Sequence, residues 1–239
     1  TGDAHLSAEQ FLMNLDCERT LREWLFSVRK SQDERGAIPG IVPTAGWGFE
    51  WGNGPAWDAA LTEIPYRLWQ YRGDKEVLFE NATAIFRYVS YLSTRVDEKG
   101  LIHIGLGDWL PVDNVKPCPL EVTDTLVSMG ICSKAAEIFR VCGMKLRAEF
   151  AQKLHDELRG SFREHLIDDN LVVYGSHQTT QAAALYYGAF NDDEKEKAFA
   201  HLLELIHNHL SDVNRGNLAV KRILQSRLNA VNHVVYCFD

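Results

Sequence analysis

The stretch Trp57-Asp58-Ala59-Ala60-Leu61-Thr62-Glu63-Ile64-Pro65-Tyr66-Arg67-Leu68-Trp69-Gln70-Tyr71-Arg72-Gly73-Asp74 reads as a helix, a stop and a restart. Trp57, Leu61, Ile64, Leu68 and Tyr71 recur at helical spacing and so share one face. Pro65 falls inside this run and predicts a kink, because it has no amide to donate and its ring crowds the preceding turn. Gly73 ends the helix and Asp74 opens the next. The following stripe, Leu78, Ala82, Ile85, Val89 and Leu92, repeats the pattern and runs out near Gly100. Two amphipathic helices on a short link fold back as an antiparallel hairpin.

The same period extends in both directions. Upstream, Ser7-Ala8-Glu9-Gln10 has capping-box spacing. Phe11, Leu12, Leu15, Leu21, Trp24, Leu25 and Val28 then predict a helix that ends before Gly36. Downstream, Leu126, Met129 and Ala136 mark a helix stopping at Gly143, and Phe150, Leu154, Leu158, Phe162 and Leu166 mark its neighbour. Leu171-Val172-Val173-Tyr174 is long enough only for a small strand. Helices are expected at Gln178–Tyr187 and Asp192–Leu210, the second with box-like Asn191-to-Glu194 spacing, followed by an amphipathic piece holding Leu218, Ile223, Leu224 and Leu228. About eight helices with no strand–helix alternation define an all-α chain. Links alternate between short ones, near Gly73 and Gly143, and long ones, Ser31–Pro55 and Gly100–Pro119. Long loops in a compact domain are commonly functional.

Composition narrows the partners. The 239 residues are 46% apolar and 24% charged, ordinary for a globular chain large enough to bury a core without staples. A formal charge of −8 with no basic run argues against nucleic acid and against an anionic membrane surface. No apolar run approaches the ~18 residues of a membrane span. No leader pattern opens the sequence, which leaves the compartment undetermined between cytoplasmic and periplasmic or secreted. Five cysteines without a C-x-x-C pair give no structural zinc pattern and read as buried reduced thiols. His207 and His209, two apart on a helix, point to different faces and make no metal pair. The acceptor-like Asn81-Ala82-Thr83 sits inside a predicted helix and is set aside as a glycosylation site. Gly105-x-Gly107 lacks the third glycine and preceding strand of a dinucleotide site, and no phosphate loop is present.

Chemistry concentrates in the long loops. The first carries Gly46-Trp47-Gly48-Phe49-Glu50-Trp51-Gly52-Asn53-Gly54-Pro55-Ala56-Trp57-Asp58, and the second Gly105-Leu106-Gly107-Asp108-Trp109-Leu110-Pro111. Indole faces beside carboxylates suit a sugar: axial C–H groups stack on the ring, and hydroxyls bond to the acids. The same tryptophans can also serve as plugs for the loops. Asp58 can serve as a helix N-terminal acid, and Asp108 as a turn residue.

Thr1-Gly2-Asp3-Ala4, Gly36-Ala37-Ile38-Pro39, Ile41-Val42-Pro43, Trp57-Asp58-Ala59, Pro65-Tyr66, Gly73-Asp74, Gly107-Asp108-Trp109-Leu110 and Thr180-Gln181-Ala182, in this order, resemble glycoside hydrolase family 78. That family contains the inverting α-L-rhamnosidases. The resemblance implies an (α/α)6 barrel, a toroid of helical hairpins, over residues 1–212, with 213–239 an unassigned helical tail. It implies no cofactor and no metal, and a rhamnose-containing carbohydrate as partner. Asp3, Trp57 and Trp109 match positions lining the rhamnose pocket, with Asp58 and Asp108 as their neighbours. The family's general acid is a Glu shortly before a Trp-Thr-Gly-Asp motif, and its general base is a Glu from a late segment. Neither is matched here, so no catalytic residue is assigned. The ring is expected to be incomplete and this chain alone inactive. Exposed helix faces would then favour self-association. On the residues alone, a non-catalytic sugar-binding toroid and an all-α interaction scaffold remain open.

Overall fold

The structure is a computed structural model that describes residues 1–108 and 117–214, with side chains to residue 207. Among the described residues there are ten helices: α1 (Gly2–Leu6), α2 (Ala8–Asn14), α3 (Glu18–Ser31), α4 (Pro55–Asp58), α5 (Ala60–Arg72), α6 (Glu76–Ser93), α7 (Leu120–Val141), α8 (Lys145–Leu166), α9 (Gln178–Tyr186) and α10 (Lys195–Asn214). The all-α class holds, with more and shorter helices at the N-terminal end than expected.

The first predicted helix is two, α2 and α3, with the short α1 ahead of them. Leu15 is extended, with φ −132° and ψ 151°, and this breaks the run between α2 and α3. Ser7 makes no side-chain cap: its backbone is helical, whereas an N-cap needs a residue outside the helical region. The short strand at 171–174 shrinks to one bridge between Ile167 and Val173. Asp168 Oδ1 accepts the amides of Asn170 and Val172, and Leu171 has φ 67°, a turn too tight to carry a strand.

The hairpins follow the sequence closely. Gly73 sits at φ 67°, where a left-handed residue closes a helix at no steric cost. Asp74 Oδ1 then accepts the amides of Glu76 and Val77 at the start of α6. The stripe Leu78, Ala82, Ile85, Val89 and Leu92 is fully buried. Helix α5 runs unbroken through Pro65. The α7–α8 hairpin turns at Gly143, and Phe162 and Leu158 seal it. Phe150 remains partly exposed, edge-on to Phe86. Helix α7 packs on α4, α5, α6, α8 and α9 and is buried around most of its circumference.

Asn81 is wholly buried, accepting from Arg29 at 2.7 Å and donating to the Val77 carbonyl at 2.7 Å, so no glycan can reach it. Cys17, Cys118, Cys132 and Cys142 are free thiols, the second and third buried and the other two half-buried. Cys237 and the amphipathic piece at Leu218–Leu228 lie outside the described residues. None of the helices, among the described residues, is long and apolar enough to cross a membrane.

The connectivity positions the site. Successive antiparallel helices place the end of α3, the start of α4, the end of α6 and the start of α7 at one end of the bundle. The short turns at Gly73 and Gly143 lie at the other. Both long loops therefore emerge side by side, over a common floor.

Candidate functional site

The first loop is fastened along its length. Trp24 Nε1 donates to the Val42 carbonyl at 3.1 Å, and Gln32 Nε2 donates to the carbonyls of Gly36 and Ala84. Asp33 Oδ1 accepts the Ala37 amide. Gly36, at φ 98°, lies so close to the Arg87 carbonyl that any Cβ there would collide with backbone. That contact accounts for the glycine in Gly36-Ala37-Ile38-Pro39.

The two loops meet at glycines. The Leu106 amide donates to the Asn53 carbonyl at 2.7 Å. Gly54, at φ 113°, abuts the Ile104 carbonyl, and Gly105, at φ 73°, abuts Asn53. Both positions need a left-handed backbone and an absent side chain. Gly105→Ala is therefore expected to part the loops while leaving the helices in place. The measurement is hydrogen exchange: the Leu106 amide should lose most of its protection, with α6 and α7 amides unchanged.

Beneath this junction lie two buried carboxyls. Asp58, 2% exposed, accepts the Gly54 amide at 3.1 Å and the Tyr88 hydroxyl at 2.9 Å through Oδ2. Asp124, fully buried, accepts the Ile104 amide at 2.7 Å through its own Oδ2. Thr125 adds a second tie to the same strand of loop, its Oγ1 accepting the Ile102 amide at 3.0 Å. One acid thus holds each loop, at neighbouring residues. In both, Oδ1 is buried without a hydrogen-bond partner. Burial pushes each carboxyl up to about 8; the Tyr88 and Gly54 bonds oppose this for Asp58, and the Ile104 bond opposes it for Asp124. At neutral pH both are predominantly protonated.

Helix α1 completes the floor's rim. Gly2 packs against the indole of Trp57 so tightly that a Cβ would overlap the ring. Thr1 Oγ1 donates to the Gly40 carbonyl at 3.3 Å. Asp3 is exposed beside them. Trp57 is half-buried with its Nε1 inside and unpartnered. His5 Nδ1 is likewise buried and unpartnered, and burial lowers this imidazole to about 4, against the pull of Glu63.

The expected residues thus separate by role. Asp3 is exposed and follows Gly2, the residue that packs on Trp57. Asp58 is not a surface acid but a buried clasp for the loop. Asp108 is half-exposed and accepts the Cys118 amide at 2.9 Å, bracing the two ends of the segment that leads to α7. Trp109 lies outside the described residues. Sequence reasoning missed Asp124, Tyr88 and His5. The available signal was an acid and two hydroxyls, Asp124, Thr125 and Ser128, placed within the apolar pattern of α7.

Comparison with known proteins fits this architecture. The family profile described as bacterial alpha-L-rhamnosidase 6 hairpin glycosidase domain matches residues 1–237. The chain belongs to that family. It is 27% identical over 227 residues to an alpha-L-rhamnosidase of Streptomyces avermitilis, a match covering 94% of this chain and 21% of that protein. A crystal structure of a Streptomyces avermitilis alpha-L-rhamnosidase complexed with L-rhamnose superposes with a TM-score of 0.79 at 24% identity, over 100% of this chain and 22% of that one. The alpha-L-rhamnosidase from Dictyoglumus thermophilum superposes with a TM-score of 0.77 at 24% identity, over 99% of this chain and 27% of that one. The fold is the helical toroid of six-hairpin glycosidases. The chain spans 21–25% of the length of the curated relatives it matches.

Proposed function

We propose that this chain carries the sugar-holding part of an α-L-rhamnosidase that removes terminal rhamnose by single-step inversion. The observation that carries this reading is the packing of Gly2 on the Trp57 indole, which docks the helix that carries the exposed Asp3 against that ring. A carboxylate can take sugar hydroxyls in charge-assisted bonds while the indole covers the less polar face of the ring. Trp109, on the second loop, is proposed as a further wall. Asp58 and Asp108 support the pocket through the loops.

Inversion requires an acid to protonate the leaving oxygen and a base to activate water, ~6.5–9.5 Å apart. Asp58 and Asp124 do not suit these roles. At 2% and 0% exposure they are closed to water, and their Oδ2 atoms are committed to loop amides. We accordingly place the reacting acid and base in the remainder of the parent protein, and take this chain alone to bind without turnover.

L-rhamnose titration, read by tryptophan fluorescence, tests the reading. Binding is expected in the wild-type chain, with at least a tenfold loss in Trp57→Ala and in Asp3→Asn. An aryl α-L-rhamnoside should give no product above a denatured control. No response to L-rhamnose would remove the carbohydrate reading; turnover would remove the assignment of acid and base to another part of the protein.

A further inference from the structure

Two tryptophans of the first loop are not used by the pocket described so far. Trp47 and Trp51 stand with ring centroids 4.2 Å apart at an interplanar angle of 71°. They remain 47% and 46% exposed. A plug for a loop core would be buried, and these two residues stay about half exposed. The loop beneath them is nevertheless well fixed. Thr44 accepts the Trp47 amide through its carbonyl at 2.9 Å and the Gly48 amide through Oγ1 at 2.8 Å. The Gly40 amide donates to the Gly48 carbonyl at 3.1 Å. Glycines 46, 48 and 52 all take positive φ, so the chain turns sharply enough to bring the two indoles together. The inner face of Trp47 rests on Gly52.

The pair is also continuous with the sugar-holding rim. Gly40 lies directly against the Trp51 carbonyl and Gly52, with no room for a Cβ. The same Gly40 accepts from Thr1, and the next residue, Gly2, packs on Trp57. One unbroken set of contacts therefore runs from Trp57 through Gly2, Thr1 and Gly40 to the backbone of Trp51 and Gly52.

We propose that Trp47 and Trp51 form a platform for the group attached to rhamnose through its anomeric oxygen, and that they select glycosides whose leaving group is a ring with an apolar face. This rests on the rhamnose-binding reading of the neighbouring pocket. The ring can be aromatic or a second pyranose, since both offer a flat C–H or π face to an indole. A short alkyl leaving group offers neither, so the platform would discriminate by what lies beyond the rhamnose.

Calorimetric titration of the chain with L-rhamnose, methyl α-L-rhamnoside, phenyl α-L-rhamnoside and an α-L-rhamnosyl-glucose disaccharide tests this. L-rhamnose and the methyl glycoside should bind alike, and at least one ring-bearing glycoside about fivefold to tenfold tighter. The phenyl and disaccharide arms show which ring is preferred. Trp47→Ala and Trp51→Ala should each reduce that gain and leave L-rhamnose affinity unchanged; Trp47→Phe should restore most of it. Equal affinity for all four ligands overturns the platform while the pocket reading stands. So does a ring-dependent gain that survives both alanine variants. A variant that loses L-rhamnose as well overturns the separation of platform from pocket. If wild type binds none of the four, the pocket reading falls and the platform with it.

Discussion

At about pH 4, where the folded and much of the unfolded chain hold the Asp58 proton, Asp58→Ala is expected to destabilise the chain by about 3–5 kcal/mol, whereas Asp58→Asn should cost about 1 kcal/mol. Alanine would leave the Gly54 amide and the Tyr88 hydroxyl without an acceptor inside the protein. Each abandoned buried donor costs about 1–3 kcal/mol. Asparagine keeps the shape and one acceptor oxygen, and it replaces a carboxyl that is already mostly neutral. For a chain of this size 1 kcal/mol corresponds to ~2–4 °C in melting temperature, so the alanine variant should melt on the order of 10 °C lower. Asp108→Ala is a useful contrast, because Asp108 is half-exposed and its bond to the Cys118 amide is only part-buried. Its cost should stay near ~1 kcal/mol. Urea unfolding of the three variants decides the matter. Equal midpoints for Asp58→Ala and Asp108→Ala would remove Asp58 as the clasp of the first loop.

The difference between these two aspartates shows where sequence reading stops. Helix hairpins are written in local periodicity, and Leu78, Ala82, Ile85, Val89 and Leu92 all reach the core as their spacing requires. Loop placement was legible for the same reason, since long links must share an end when short ones share the other. What an acid does is not local. Asp58 and Asp108 both precede or follow tryptophan in glycine-rich loops, yet one is buried under Gly54 and the other braces Cys118. The partners that decide this, Tyr88 and Cys118, lie 30 and 10 residues away. Asp124 was harder still. It sits on a helix that touches five others, on a buried side where an acid resembles an interruption of the apolar stripe. The break at Leu15 was missed because the apolar spacing continues across it, although Phe11 and Leu15 face outward.

Stability should fall as pH rises, most steeply between about pH 6.5 and 8. Asp58 and Asp124 hold their protons to about 8 in the folded chain and release them near the ordinary carboxylate value of 3.8 once unfolded. From about pH 4 to 8 the folded state therefore carries protons that the unfolded state lacks. The stabilisation they supply is complete below 3.8 and is lost as pH approaches 8, by up to ~1.4 kcal/mol per pH unit for each carboxyl. His5 works in the opposite sense. Its folded value is about 4 against 6.5, so unfolding takes up a proton between those limits, and stability from this group increases with pH there. It offsets part of the carboxyl effect up to 6.5 and none of it above. Glu194, drawn down to about 2 by Arg163, adds stability that is lost only as pH falls below 4.5. Ionising groups that face the two carboxyls also matter: Tyr88, the Thr1 amine and Glu121 couple to them, and Asp58 opposes ionisation of Asp124. The expected profile is a maximum near pH 4–5, a shallow decline to 6.5 and a steep one beyond. Asp58→Asn combined with Asp124→Asn should flatten the steep limb while leaving the acid limb in place. Unfolding free energies that stay level or rise from pH 6.5 to 8 in the wild-type chain would show that these carboxyls ionise normally, and that the loop junction does not rest on a neutral pair.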